Sequence, residues 1–171
     1  MLPASQPTIL INNFNIIAIL LEDAAIFIGW LLFFTSIYKF KRYGEMRTMM
    51  SMHMNILGPL SVLIASVFLL LFPQFVGTVI MSFWGKANIN PLPYTGPEDD
   101  FGMYITPILM FVRIIGIISI IRGVMLLSRT GEQNSQPGQA GKAGLHILGG
   151  LLSVHIMYTI DLLKNIFGLV S

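Results

Sequence analysis

The chain alternates between long apolar blocks and short polar links. The four apolar blocks comprise residues 15–38, 56–84, 104–127 and 145–170. Each block is long enough for an α-helix to cross a hydrocarbon layer, which takes about 20 apolar residues. The second block contains Pro59 and Pro73, which can kink a helix. The pattern predicts an all-α membrane protein with four transmembrane helices, of which the second is kinked, in one membrane domain covering residues 1–171.

The amino-acid composition supports membrane insertion and excludes several other classes. The chain is 54% hydrophobic and only 11% charged, with a mean hydropathy of +0.76, whereas soluble domains are about 25% charged. Its net charge of +2 is too small to indicate nucleic-acid binding. Because the sequence has no cysteine, disulfides and cysteine-bound metals are excluded. The start lacks a basic segment and a small-residue cleavage site, so we expect no cleaved signal peptide.

The basic residues indicate how the blocks are oriented in the membrane. The first and third links are basic, whereas the second has three acidic residues against one lysine. Cytoplasmic loops are enriched in Lys and Arg, so we expect links one and three in the cytoplasm and both termini on the opposite side. The third link, residues 128–143, is rich in Gly and Gln and is predicted to be mobile. The residues predicted to lie at the cytoplasmic interface are Lys39, Lys41, Arg42, Arg47 and Arg122.

The third block, which contains PILMFVRIIGIISIIRGVMLL, raises the question of why Arg113 lies among apolar residues. A lone arginine inside a membrane costs at least about 2.5–3.5 kcal/mol. Glu22, Asp23 and Asp161 are predicted at similar depths in other helices. We therefore expect Arg113 to form a charge clasp between helices with one of these carboxylates. Contact with a neighbouring subunit and a proton or ion path remain as alternatives.

Small residues form stripes that are typical of closely packed membrane helices. The third block has such residues at helical spacing, and the fourth block has a glycine-rich start. The residues predicted to mediate helix packing are Gly116, Ser119, Gly123, Gly144, Gly149 and Gly150. We expect these stripes to meet other helices, either within the chain or between subunits.

A few other side chains are candidate ligands or switches. Residues 49–54 contain four methionines and His53, which suit Cu(I), although methionine is also an adaptable apolar residue at a membrane interface. His146 and His155 are nine residues apart and point to opposite faces of one helix, so they cannot share an ion. We expect His155 to be buried and hydrogen-bonded, with a pH-sensing role as the alternative. Because the sequence has no catalytic motif, we predict no enzyme activity, cofactor or metal site.

Three segments of the chain, KRYGEMRTMMS, IGIISIIRGVMLLSR and QPGQAGKAGLHILGG, form a recognisable set. The most visible signature is Ile121-Arg122-Gly123, followed by Gly138, Gly141, His146 and the pair Gly149-Gly150. This set resembles the IcmC/DotE-like membrane proteins of type IVB (Dot/Icm) secretion systems, to which the IcmD/DotP-like group and DotV are related. Relatives occur in IncI-type conjugation systems. The resemblance covers roughly Lys41 to the C-terminus.

The resemblance implies a multi-pass subunit of the bacterial inner membrane that helps to build a translocation complex for protein or DNA–protein cargo. The implied partners are the lipid bilayer, other secretion-system membrane subunits and further copies of the chain, without direct nucleic-acid binding. We therefore predict a structural role without enzyme activity. Two alternatives remain, namely a pilus or tube subunit of a conjugation system and a small oligomeric ion channel or transporter.

Overall fold

The structure is a computed structural model that describes residues 5–48, 55–84, 102–132 and 137–168. Every regular element in these ranges is an α-helix, which confirms the all-α prediction for this part of the chain. The six helices are α1 (Ser5–Thr48), α2 (Leu57–Leu70), α3 (Phe72–Trp84), α4 (Gly102–Ser128), α5 (Gln139–Val154) and α6 (Ile156–Ile166). Residues 49–54, which carry the candidate copper ligands, lie outside the described ranges.

Two of these helices are long and apolar enough to cross a membrane, through Ile9–Met46 of α1 and Pro107–Ser128 of α4. The bent pair α2 and α3 makes a third span if it is counted as one. By contrast, α5 has 16 residues and α6 has 11, fewer than the about 20 that a perpendicular span needs. The helices are therefore compatible with a membrane protein, while four spans and their orientation remain predictions.

Helix α1 is much longer than the apolar block that predicted it, because it starts at Ser5 and continues to Thr48 instead of covering residues 15–38. The basic link after this block is helical as far as Thr48, where its described part ends. Lys, Arg and Glu are good helix formers, and Lys41 lies 3.7 Å from Glu45 one turn later. Hydropathy therefore identifies the apolar part of this helix, and it does not show where the helix begins and ends.

The second predicted span is broken at Leu71, where α2 and α3 meet at a bend of 80°. Pro73 accounts for the break, because in a continuous helix its ring would clash with the carbonyl of Leu69 and it has no N–H to donate there. Pro59 produces no bend. It lies in the first turn of α2, where a missing N–H breaks no helical hydrogen bond.

The fourth predicted span, residues 145–170, is divided into α5 and α6 at His155, whose φ of −121° and ψ of 55° lie outside the helical region. The Thr159 hydroxyl contacts two carbonyl oxygens at this break, that of Leu152 at 2.9 Å and that of His155 at 3.1 Å. Because α5 already begins at Gln139, the predicted mobile link of residues 128–143 is also shorter than expected.

The chain divides into two compact units. Unit 1 comprises Met1–Glu22, Pro73–Ile118 and Gly149–Ser171, and unit 2 comprises Asp23–Phe72 and Ser119–Leu148. The buried apolar residues of unit 1 include Ala18, Val76, Met110, Ile117 and Val154. Those of unit 2 include Val62, Leu69, Phe72, Ile120 and Val124.

Helices α1 and α2 approach closely in unit 2 because Gly29 has no side chain. A Cβ at this position would lie 2.9 Å from the backbone nitrogen of Leu70 and 3.1 Å from the carbonyl carbon of Leu69. Further along α1, the buried Ser36 hydroxyl donates to the carbonyl of Pro59 at 3.3 Å. Small residues of this kind allow membrane helices to pack backbone against backbone.

A matched pair of substitutions in α1 tests this contact. Gly29→Ala should lower the free energy of unfolding by about 1–3 kcal/mol, because the added methyl group forces backbone atoms apart. Gly44→Ala adds the same methyl group where nothing lies within 4 Å, and it should raise stability by about 0.5–1 kcal/mol. Denaturant unfolding in detergent micelles measures both, and a Gly29→Ala protein as stable as the Gly44→Ala protein would contradict the described contact.

Candidate intramembrane charge site

Arg113 lies in the apolar span of α4, and the residue is only 6% exposed. The adjacent Ile114 and the nearby Met110 and Ile117 are buried as well. Within the described ranges, the Nε and Nη2 atoms of Arg113 are buried and have no hydrogen-bond partner. A buried charge of this kind is costly unless an opposite charge compensates it.

Glu22 supplies an opposite charge in the same unit. Its carboxylate interacts electrostatically with the Arg113 guanidinium, and the residue is half-buried. The two helices that carry these residues are in contact, because the ring centroids of Phe14 on α1 and Phe111 on α4 lie 6.4 Å apart. Of the three carboxylates predicted as partners, Glu22 is therefore the one that the described part of the chain brings near Arg113.

His155 is the third ionisable group of this site. It lies at the break between α5 and α6 and is half-buried, and the charge of Arg113 acts on its imidazole. The sequence indicated a buried histidine but gave no sign that it lies near Arg113. His155 lies at a break between two helices, so spacing along one continuous helix could not reveal this neighbour.

The other two predicted acidic partners have different positions. Asp23 belongs to unit 2, and its side chain is exposed. Asp161 lies in α6, but its side chain is outside the described part of the structure. Pairing between Asp161 and Arg113 therefore remains a prediction.

In unit 1, α4 packs closely against α5 at Gly116. A Cβ on Gly116 would lie 2.8 Å from the carbonyl oxygen of Gly150 and 2.9 Å from the backbone nitrogen of Val154. Only a glycine allows this backbone contact without displacement. Gly149, the neighbour of Gly150, faces open space, because a Cβ there would meet nothing within 4 Å.

In unit 2, α4 and α5 also pack through small residues. The Ser119 hydroxyl donates to the carbonyl of His146 at 2.9 Å. A Cβ on Gly123 would lie 2.9 Å from the carbonyl oxygen of Ala143. Gly144, by contrast, has nothing within 4 Å of an added Cβ. The small-residue stripe of the third block thus lies on the face of α4 that meets α5.

The basic residues at the end of α1 include one clear ion pair. The Nζ atom of Lys39 lies 2.6 Å from Oε1 of Glu132, which follows α4 in the third link. This contact joins the two links that were predicted to share the cytoplasmic side. The sequence did not predict that Glu132 pairs with Lys39, although it shows that Glu132 is charged and lies in the third link.

The remaining predicted interface residues are mostly on the surface. Lys41, Arg42 and Arg122 are exposed, and the side chain of Arg47 lies outside the described part of the structure. An exposed pair such as that of Lys41 with Glu45 contributes little stability, typically about 0.3–0.5 kcal/mol for i,i+4 pairs. These residues therefore offer charge to a partner or to lipid headgroups without holding the fold together.

The chemistry of the site is that of charge compensation in an apolar interior. Among the described residues, no group of three or more His, Cys, Asp or Glu side chains is arranged to hold a metal ion. Arg113, Glu22 and His155 come from three different parts of the chain. The site therefore brings together ionisable groups from α1, α4 and the α5–α6 junction within unit 1.

Comparison of the chain with protein-family models, with curated proteins and with solved structures gives no match. The likeness to the IcmC/DotE-like proteins therefore stays an expectation drawn from the sequence segments.

Replacing each of two arginines in α4 by methionine tests the site. Arg113→Met should lower the free energy of unfolding by about 1–3 kcal/mol, because Glu22 is left in a partly apolar environment without its opposite charge. Arg122→Met removes an exposed arginine from the same helix and should change stability by less than about 0.5 kcal/mol. Denaturant unfolding in micelles and the amount of protein in membranes both report the effect. Equal stability of the two variants would show that Arg113 has no structural role.

Proposed function

We propose that this chain is a structural, multi-pass subunit of a bacterial inner-membrane secretion or conjugation apparatus of the type IVB class. In this proposal it helps to build the complex that carries protein or DNA–protein cargo. The support is of two kinds. The apolar helices suit a membrane, and the three sequence segments described above resemble the IcmC/DotE-like proteins.

The uncovered surface of α1 is the observation that carries the proposal. Only 17% of its most apolar window is buried inside the chain, against 50% for α4. The side chains of Phe27, Trp30 and Phe34 are 65%, 51% and 62% exposed. Lipid and the helices of other subunits are the partners that suit such a surface, because both are apolar.

The length of α1 also supports a role within an assembly. The part of α1 that contains its candidate span, Ile9–Met46, has 38 residues and is about 57 Å long, whereas the hydrocarbon core of a bilayer is about 30 Å thick. The excess suits contacts with neighbouring subunits beyond the lipid. The proposed role is therefore helix packing within an assembly, without enzyme activity, and energy for transport comes from other components.

The proposed orientation has four spans, with both termini outside the cytoplasm. The contact between Lys39 and Glu132 supports one part of this orientation, namely that the first and third links share a side of the membrane. The excess of Lys and Arg in these two links favours the cytoplasmic side.

A second candidate function is a small oligomeric ion channel or transporter. The buried Arg113, with Glu22 and His155 near it, favours this alternative, because ionisable groups inside membranes often mark the path of an ion or proton. Ion or proton flux through liposomes that contain the purified chain, abolished by Arg113→Gln, would distinguish it from a structural role.

Purification of the affinity-tagged chain in mild detergent, followed by mass spectrometry, tests the proposed function. We expect other membrane subunits of a secretion system to accompany the chain in reproducible amounts. The control is the same purification in a detergent that dissociates complexes, where these proteins should be lost. Recovery of the chain as a detached filament would favour a pilus or tube subunit, and recovery of the chain alone would contradict a role in a larger assembly.

A further inference from the structure

A cavity of about 220 Å³ lies in unit 2, where the end of α1, the start of α2 and the turn after α4 meet. Pockets for drug-sized ligands are larger, at about 300–1,000 Å³. The cavity therefore suits a compact chemical group. Its lining includes Lys39, Arg42, Tyr43, Asn55, Gly131 and Glu132.

The wall of this cavity is built by a close contact between α2 and the turn after α4. A Cβ on Gly131 would overlap the carbonyl group of Leu57 and lie 2.7 Å from Oγ of Ser61. The Ser61 hydroxyl in turn lies 3.1 Å from the carbonyl oxygen of Ser128, at the end of α4. Gly131 is therefore required for the turn to approach α2, and this approach closes one side of the cavity.

The polar groups of the cavity are mainly hydrogen-bond donors. Lys39 has three N–H groups, and its Nζ atom is held 2.6 Å from Oε1 of Glu132, so the one carboxylate among the described lining residues is compensated. The guanidinium of Arg42 presents a planar set of donors that matches a phosphate group. The Oδ1 atom of Asn55 accepts the N–H of Leu57 at 3.1 Å, so its NH₂ group is the part that suits a ligand. Such a set suits an anion whose oxygens only accept hydrogen bonds.

The position of the cavity along the helices indicates the source of the anion. No charged residue lies between Asp23 and Lys39 in α1, and the apolar span of α4 ends at Ser128. The cavity thus lies where two apolar stretches end. Lipid headgroups meet a membrane helix at this level, and basic pockets next to membrane helices bind anionic headgroups.

We propose that this cavity binds the phosphate group of an anionic lipid headgroup, with Arg42 as its charged ligand and Lys39, Tyr43 and Asn55 as further hydrogen-bond donors. The bound lipid would join the end of α1 to the turn after α4. This inference depends on membrane insertion and does not depend on the secretion role, because the purified chain alone suffices to test it.

The full chain, purified in a neutral detergent, is heated in the presence of increasing concentrations of short-chain phosphatidylglycerol. We expect the unfolding midpoint to rise and then saturate. Arg42→Gln removes a charged hydrogen-bonding ligand, so the concentration for half the effect should increase about ten-fold or more. Lys41→Gln is the matched control, because Lys41 is exposed on the same helix, carries the same charge and does not line the cavity.

Additional variants and ligands distinguish binding of lipid in the cavity from a general effect of charge on stability. Tyr43→Phe keeps the ring and removes one donor, so we expect a smaller increase than for Arg42→Gln. Short-chain phosphatidylcholine, which has no net charge, and inorganic phosphate should both give little protection. Equal protection by inorganic phosphate would overturn the assignment to lipid. Equal responses of the Arg42→Gln and Lys41→Gln proteins would overturn the cavity as the site.

Discussion

The buried guanidinium of Arg113 is the charge that the helix packing has to accommodate, and Glu22 is the acidic group whose charge acts on it. A charge inside an apolar helix is tolerated only where another group compensates it. This requirement limits how α1 and α4 can rotate or slide within unit 1, because either movement would separate the two groups. His155 also lies within reach of the Arg113 charge, but an imidazole has no negative charge and does not compensate the guanidinium. Arg113 is costly to bury, and for that reason it favours one particular arrangement of the helices around it.

Small residues also let the helices pack closely against one another. Apolar side chains gain little by leaving lipid for protein, so membrane helices associate through van der Waals contact and hydrogen bonds. Gly116 and Gly123 let α4 approach α5 at backbone distance, and Gly29 does the same for α1 and α2. The hydroxyl of Ser119 adds a hydrogen bond to α5. Phe27, by contrast, lies exposed on α1 and remains available to lipid and other subunits.

The helical class, the apolar stretches and the small-residue face of α4 could be predicted from the sequence, because each follows from local composition and the helical period. The break at His155 could not, since the apolar pattern runs through it without interruption; in the structure the Thr159 hydroxyl contacts the carbonyls of Leu152 and His155 there. The pairing of Lys39 with Glu132 was missed for a related reason. The two residues are far apart in sequence, and they meet because both α1 and the turn after α4 contact the start of α2.

These features describe a helical chain that is compatible with a membrane, in which small residues lie at the contacts between helices and large apolar side chains of α1 stay exposed. Exchange of the two charges tests this account most directly. We predict that Glu22→Arg and Arg113→Glu each reduce the amount of folded protein in the membrane, since each places like charges together. The double exchange should restore most of it, because it recreates the opposite pair. A double variant no more abundant than the two single variants would contradict the interaction between Arg113 and Glu22 on which the account depends.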